Sequence, residues 1–304
     1  MTEPYHLTAD QVDFFDQNGY LILRNRFPAE LIDQLRRASD EWIERGRAER
    51  SDDPSLPDFA YANRPSGRAL YRVNYLHDKL PEGSLQLLGS PGMLGVAESL
   101  AGSDFVPTYE ALVFKSEGEG APVEWHQEAV HPRSGRIFNV GVYLDPARKS
   151  QGAVRVIPGS HRGPSDVCAL DQQFGWDVPG AVTAELEPGD ALVHDVMVVH
   201  GSPPVSGNPL RRTIYYEFRP AQQIFDEGPW DREWVDRRLR LVPAALRAHD
   251  RTYPSAPRFS WNVADEYRPE DLGDAHVERR VIHPRHSPGS YCSAGSVTPV
   301  KVRR

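Results

Sequence analysis

The stretch Val123-Glu124-Trp125-His126-Gln127-Glu128 reads as extended chain, with His126 and Glu128 two residues apart. At a period of two both side chains leave the same face of a strand, so one imidazole and one carboxylate can chelate a single ion. Much later come His200-Gly201-Ser202 and, eleven residues beyond His200, Arg211. A second imidazole from a distant strand would complete a 2-His-1-carboxylate facial triad, which leaves three cis positions open on non-haem Fe(II) for a co-substrate and O2. An arginine soon after that histidine suits the far carboxylate of a keto acid bound to the iron. The pattern points to oxygenase chemistry.

A ligand strand of this kind needs neighbours, and the sequence supplies them from about residue 106. Short apolar and alternating runs at 108–115, 123–130, 136–144, 153–157, 181–187, 190–200 and 212–219 are separated by Gly and Pro. Their spacing predicts an all-β barrel or sandwich, for which a jelly roll, or double-stranded β-helix, is the natural architecture. The first hundred residues read mainly as helix. Thr8 with Gln11 makes a capping box ahead of Val12 and Phe15, with Gly19 as the stop. Pro28 opens a second helix carrying Leu31, Leu35, Ala38 and Trp42 on one face, and a third runs over 91–100 with Gly102 beyond it. Residues 46–66 are polar and read as a long loop. The expectation is a single domain: a mainly helical part over 1–105, a β core over 106–220, and an extension over 221–304 packed on that core. The extension carries Trp230, Trp234, Tyr253, Phe259 and Trp261 among many arginines and prolines.

Composition excludes some function classes. A chain of 304 residues can bury one substantial core. Its net charge of −8 offers no basic footprint for nucleic acid, and only 4 of its 35 basic residues are Lys. Cys168 and Cys292 are too few for a disulfide framework, so a reducing cytoplasm is the expected compartment. The opening Met-Thr-Glu-Pro-Tyr-His lacks a charged-then-apolar leader, and no apolar run reaches membrane-spanning length. The expected partner is a small-molecule substrate, with neither nucleic acid nor membrane. Nothing in the sequence fixes an oligomeric state.

Several motifs in a fixed order carry a resemblance. They are Leu-Thr-x-x-Gln-Val-x-Phe-Phe-x-x-x-Gly-Tyr at 7–20, His-x-Glu at 126–128, Ile157-Pro158-Gly159-Ser160-His161-Arg162, Pro188-Gly189-Asp190, His200-Gly201-Ser202 and Arg211. Over roughly residues 7–220 the chain resembles the phytanoyl-CoA dioxygenase family. The resemblance implies a cupin-like double-stranded β-helix, Fe(II) as cofactor, and 2-oxoglutarate and O2 as co-substrates. It also implies metal ligation by His126, Glu128 and His200, with Arg211 and Ser202 on the far carboxylate of 2-oxoglutarate. One departure is the ligand carboxylate, because Glu128 stands where the family usually has Asp. Glu keeps the charge and adds a methylene. Related halogenases carry a small residue there to make room for chloride, so Glu128 argues against halogenation. Hydroxylation is the default outcome, and desaturation or ring closure would use the same iron.

Competing histidines have to be weighed, since the chain has 11. His194 and His200 fall in one predicted strand with the same parity, which would put them ~20 Å apart at ~3.3 Å per residue. His200 is preferred because Gly201-Ser202 follows it, as in the family motif. His194 reads as a barrel-wall residue in reach of substrate, and His131 as a residue bordering the pocket. Tyr71, Arg72, Asn74 and His77 fall in a region that lies at the pocket mouth in the resembling family, which makes them candidate substrate contacts. Arg211 and Arg212 face opposite sides of a strand, and Gln127 should point away from the metal. Trp125, Tyr143, Tyr215 and Phe218 read as barrel packing. No basic cluster marks a site for coenzyme A, so a free, polar, biosynthetic small molecule is expected rather than a lipid thioester. A non-catalytic jelly-roll small-molecule-binding protein is the alternative, with the Glu128 departure as its only foothold.

Overall fold

In the computed structural model, residues 5–49, 58–64, 67–116, 122–130, 133–204, 210–282 and 290–291 are described. The capping box closes as the sequence predicts. Thr8 Oγ1 accepts the Gln11 amide at 3.2 Å, and Gln11 Oε1 accepts the Thr8 amide at 2.9 Å. Helix α1 (Ala9–Asn18) then ends on Gly19 at φ 76° and leads into strand β1 (Tyr20–Leu23). Helix α2 (Ala29–Glu49) buries Leu31, Ile32 and Leu35 completely or nearly so.

The stretch read as a loop over 46–66 is corrected in part. Helix α2 runs through 46–49, and β2 (Phe59–Arg64) pairs antiparallel with β3 (Gly67–Asn74). Phe59 and Tyr61 supply a period-two apolar pattern hidden among polar residues. Both pack on the main core, and Tyr61 Oη donates to Gly46 O at 2.6 Å. Gly46 permits this approach, because a Cβ there would lie 2.6 Å from the Phe59 ring. Helices α3 (Leu76–Lys79), α4 (Pro81–Leu88) and α5 (Pro91–Ala101) follow, the last capped by Ser90 Oγ on Met93 N.

Next come β4 (Phe105–Lys115), β5 (Val123–Gln127), β6 (Phe138–Tyr143) and β7 (Arg155–Val156). After helix α6 (Val167–Phe174) the chain forms β8 (Val182–Thr183), β9 (Ala191–Asp195), β10 (His200–Ser202) and β11 (Arg211–Pro220). The C-terminal segment contributes α7 (Ala221–Glu227), α8 (Arg232–Leu239), α9 (Leu241–Thr252) and β12 (Ser290–Tyr291). The strands make two antiparallel sheets, ordered β1-β9-β6-β11-β4-β3-β2 and β12-β5-β10-β7-β8. Side chains from both, including Tyr143 and Leu192 of one and Val156 of the other, share a buried cluster between them. This is the jelly roll expected, with helices on the outer face of the larger sheet.

The predicted strand over 190–200 is two strands in different sheets. Asp195 breaks it: its Oδ1 accepts the Met197 amide at 2.8 Å and its carbonyl accepts the Val198 amide at 3.0 Å, turning the chain over 195–198. The segment before 106, read as mainly helical, also supplies β1, β2 and β3 to the larger sheet.

Outside the barrel, α8 anchors the C-terminal segment through charge. Arg238, fully buried, donates to Glu110 Oε2 at 2.6 Å and to Pro107 O at 2.6 Å. Replacing Glu110 with Gln, or Arg238 with Met, leaves the partner's charge buried without its counter-ion. Either change is expected to lower stability by about 3–5 kcal/mol, measured by urea denaturation.

Candidate functional site

His126 and His200 are register partners across β5 and β10, with ring centroids 4.1 Å apart. Glu128 follows the end of β5 and reaches back between them. Its Oε1 lies 3.2 Å from His126 Nε2 and 3.6 Å from His200 Nε2. One donor atom from each of the three falls within 4.8 Å of the others. Each imidazole is held by its other nitrogen: His126 Nδ1 is 2.8 Å from Glu124 O, and His200 Nδ1 is 3.0 Å from Val198 O. A carbonyl can only accept, so Nδ1 carries the proton in both rings and both Nε2 lone pairs face the common point. That is the tautomer a divalent metal needs. The donor set of two imidazoles and one carboxylate fits non-haem Fe(II).

The electrostatics agree with a cation site. Burial pushes the Glu128 carboxyl up, but hydrogen bonds and charge from His126 and His200 outweigh it and hold it well below the usual carboxylate range. Burial, together with the neighbouring His126, pushes His200 down. The Glu128 side chain is 39% exposed whereas the imidazoles are nearly covered, so the open side of the trio lies at the carboxylate.

A second polar cluster spans the two sheets. Ser202 Oγ accepts from Arg211 Nη2 at 3.0 Å and from Lys115 Nζ at 2.7 Å, and donates to Gly152 O at 3.0 Å. Arg211 also donates to Gly152 O. Among the described residues Arg211 has no carboxylate partner, although it is buried. Its neighbour Arg212, on the opposite face of β11, is fully engaged by Asp145 through two parallel hydrogen bonds of 2.8 and 2.9 Å and by Asp40 at 2.5 Å. A buried guanidinium beside a lysine and a hydroxyl, with no acid of its own among the described residues, can accept a carboxylate. Lys115 is register-paired with Arg211 across β4 and β11, a pairing that no local sequence signal announces.

The other candidates scatter. His194 lies on β9, and its ring centroid is 4.7 Å from that of His200, so the ~20 Å separation expected from one continuous strand is corrected. Burial and the adjacent His200 push its pKa well down, leaving it neutral. Its donor atoms are not part of the converging trio. Arg72 and Asn74 share the inner face of β3, and a bulge in the β2–β3 pairing turns the Tyr71 ring towards Arg72, 5.5 Å from ring centroid to guanidinium. His77 is elsewhere: fully buried behind the larger sheet, it contacts Ser84 Oγ at 3.0 Å and the Tyr216 ring at 5.7 Å. His131 lies outside the described residues. Tyr143, which packs in the cluster between the sheets as expected, and Tyr215 also border the Arg211 cluster; burial pushes both phenols up and the Arg211 charge opposes it. Trp125 packs under α6 with its Nε1 on Gly175 O at 2.8 Å. Gln127 points away from the trio, donating to Met197 O at 2.6 Å and accepting from Ser165 N at 2.9 Å.

The turn over 195–198 holds Glu128, because Val196 O accepts the Glu128 amide at 2.9 Å. Arg133 in turn grips both Asp195 oxygens at 2.6 Å. Asp195→Asn is therefore expected to weaken Fe(II) binding by about tenfold or more, as loss of a group that positions metal ligands does; titration calorimetry under anaerobic conditions would show it, and an unchanged affinity would remove the turn from the site.

Comparison with known proteins agrees with this geometry. A family model described as phytanoyl-CoA dioxygenase matches residues 15–213, more than half of the chain. Among curated proteins, an ectoine dioxygenase of Sphingopyxis alaskensis is 26% identical over 275 residues, 79% of this chain and 86% of the relative. A probable alpha-ketoglutarate-dependent hypophosphite dioxygenase of Stutzerimonas stutzeri is 26% identical over 231 residues, covering 70% and 79%. Among solved structures, AviO1 from Streptomyces viridochromogenes superposes with a TM-score of 0.59 at 28% identity, over 73% of this chain and 96% of that one. The chain belongs to the phytanoyl-CoA dioxygenase family, whose members are non-haem dioxygenases dependent on Fe(II), 2-oxoglutarate and O2.

Proposed function

We propose that this protein hydroxylates an unactivated C–H bond of a free, polar, biosynthetic small molecule. His126, Glu128 and His200 hold the Fe(II), while Arg211 and Ser202 hold the far carboxylate of 2-oxoglutarate. The observation that carries the reading is the convergence of three donor atoms within 4.8 Å, with both histidine Nδ1 atoms committed to backbone carbonyls. When bound, iron and keto acid with O2 supply the oxidising power for C–H cleavage. The chain's own share is placement. The trio takes one side of the metal and leaves the rest to exogenous ligands. Arg211 offers a planar fork to a carboxylate, and Lys115 adds charge and fixes the Ser202 hydroxyl. Arg72 and Asn74 of β3, with Tyr71 beside Arg72, and His194 are the proposed substrate contacts, and the neutral His194 adds no charge beside the metal.

Under anaerobic conditions Fe(II) plus 2-oxoglutarate should give the weak visible charge-transfer band of the ternary complex. His126→Ala or His200→Ala should abolish it together with stoichiometric Fe(II) binding, and unchanged binding would remove that residue from the set. Glu128→Asp shortens the reach by a methylene and is expected to keep binding while changing how tightly 2-oxoglutarate consumption is coupled to product.

The two adjacent arginines separate the roles further. Arg211→Ala is expected to weaken 2-oxoglutarate binding by roughly 2–5 kcal/mol, and Arg211→Lys should recover little of it. Arg212→Ala should instead lower the melting temperature, because it leaves Asp145 without its fork. Equal effects of the two on the 2-oxoglutarate requirement would show the face assignment to be wrong.

With Glu128 filling the position a halide would need, wild-type enzyme supplied with chloride or bromide should give oxygenated product only. Product mass spectrometry checks this through the isotope doublets, and any halogenated product would mean that Glu128 is not a ligand.

A further inference from the structure

Four arginines are buried in the described residues: Arg211, Arg212, Arg219 and Arg238. Three have carboxylate partners, Arg212 on Asp145, Arg219 on Glu217 and Arg238 on Glu110. Arg211 has none, and the proposed function gives that place to the co-substrate. A fifth arginine on the same inner face, Arg72, likewise has no acid in ion-pair contact among the described residues. It is half-buried, and its Nε is shut off from solvent without a hydrogen-bond partner. A guanidinium with one donor shut off from water and no acid in ion-pair contact is a ready partner for an anionic ligand.

Its position shows where that ligand would sit. Arg72 faces Val113 on β4, and Val113 faces Thr213 on β11, one step along the same inner face from the Lys115–Arg211 pair. Arg72 and Arg211 are therefore separate anchors in one pocket. Around Arg72 the walls are aromatic and polar: the bulged Tyr71 ring lies 5.5 Å from the guanidinium, and Tyr109 Oη donates to Asn74 Oδ1 at 3.3 Å. Tyr109, which also hydrogen-bonds the guanidinium, and then Tyr71 and Glu128 outweigh burial and hold the Arg72 pKa above the usual arginine range, with Glu128 placing it within electrostatic reach of the metal trio.

We propose that Arg72 binds an oxyanion group of the substrate, so that the molecule oxidised is an organic acid (a carboxylate, phosphonate or sulfonate) and not a neutral compound. The proposal rests on the oxygenase reading of the same pocket, with Arg211 reserved for 2-oxoglutarate.

The test uses the full chain with Fe(II) and saturating 2-oxoglutarate under anaerobic conditions, so that the Arg211 end is filled. Propionate, propylphosphonate and propanesulfonate are compared with propionamide by saturation-transfer NMR. The acids are expected to bind and the amide not to. Arg72→Gln should weaken acid binding by about thirtyfold or more, with partial recovery in Arg72→Lys. The same acids are then admitted to O2 and succinate release is followed. Stimulation by acids that is lost in Arg72→Gln supports both readings. Arg72-dependent acid binding without any 2-oxoglutarate turnover would sink the oxygenase reading and leave this one standing. Equal binding of acids and amide, no binding of the acids, or a defect of Arg72→Gln confined to the 2-oxoglutarate requirement would each overturn it, the last by making Arg72 part of the co-substrate cradle.

Discussion

His126 and His200 face each other as direct partners in one ladder of the smaller sheet, and the rest of the site is arranged around keeping them so. Two imidazoles with centroids 4.1 Å apart repel if both are protonated, and each also has two nitrogens to choose from. The backbone decides both matters by presenting a carbonyl two residues upstream of each ring. The third member stands past the end of β5, where no ladder holds it. Its amide is held instead by Val196 O, within the turn that Asp195 and Arg133 brace. Behind the ligand strand, Gln127 ties β5 to the 160–165 segment and to Met197. A few local hydrogen bonds thus convert a two-residue sequence spacing into a defined metal-sized gap.

A polar interior of this kind is affordable only because stability comes from elsewhere. Along β11, Ile214, Tyr216 and Phe218 point outward into the main core beneath the helices, whereas Arg211, Thr213 and Tyr215 point inward. Strand β4 divides the same way, with Leu112 and Phe114 outside and Val113 and Lys115 within. Alternation at period two therefore separates packing from chemistry along single strands. Between the sheets, an apolar cluster that includes Tyr20, Tyr143, Val154, Val156, Leu186 and Leu192 packs beside the polar groups.

What could be read from sequence follows from how local the determining physics is. The capping box, the α5 helix with Gly102 beyond it and the His-x-Glu spacing are short-range patterns, and each stands where the sequence puts it. The closeness of His194 to His200 is not legible because an apolar run hides a turn that one aspartate makes; Asp195 in the middle of Val-His-Asp-Val-Met-Val is the only mark of it. Strand β2 is hidden because Phe59 and Tyr61 sit in a polar stretch whose pairing with β3 is a tertiary fact. His77 shares a sequence neighbourhood with Arg72 and Asn74, yet the chain enters a helix at Leu76 and carries it to the other side of the sheet. Lys115 could not be placed at the site without knowing that β4 lies beside β11.

That lysine also explains a division of labour between the two cation types. Only 4 lysines occur against a large excess of arginine, and this one is buried. Its ammonium sits where three oxygens converge, Ser202 Oγ at 2.7 Å, Ser202 O at 3.1 Å and Pro203 O at 3.3 Å. A compact cation with three rotatable donors matches such a set, and a planar guanidinium does not. By holding the backbone and hydroxyl just after β10, Lys115 fixes Ser202 in the position from which it meets Arg211. The same strand residue that stiffens the sheet-to-sheet junction also sets the charge that a dicarboxylic co-substrate would find there.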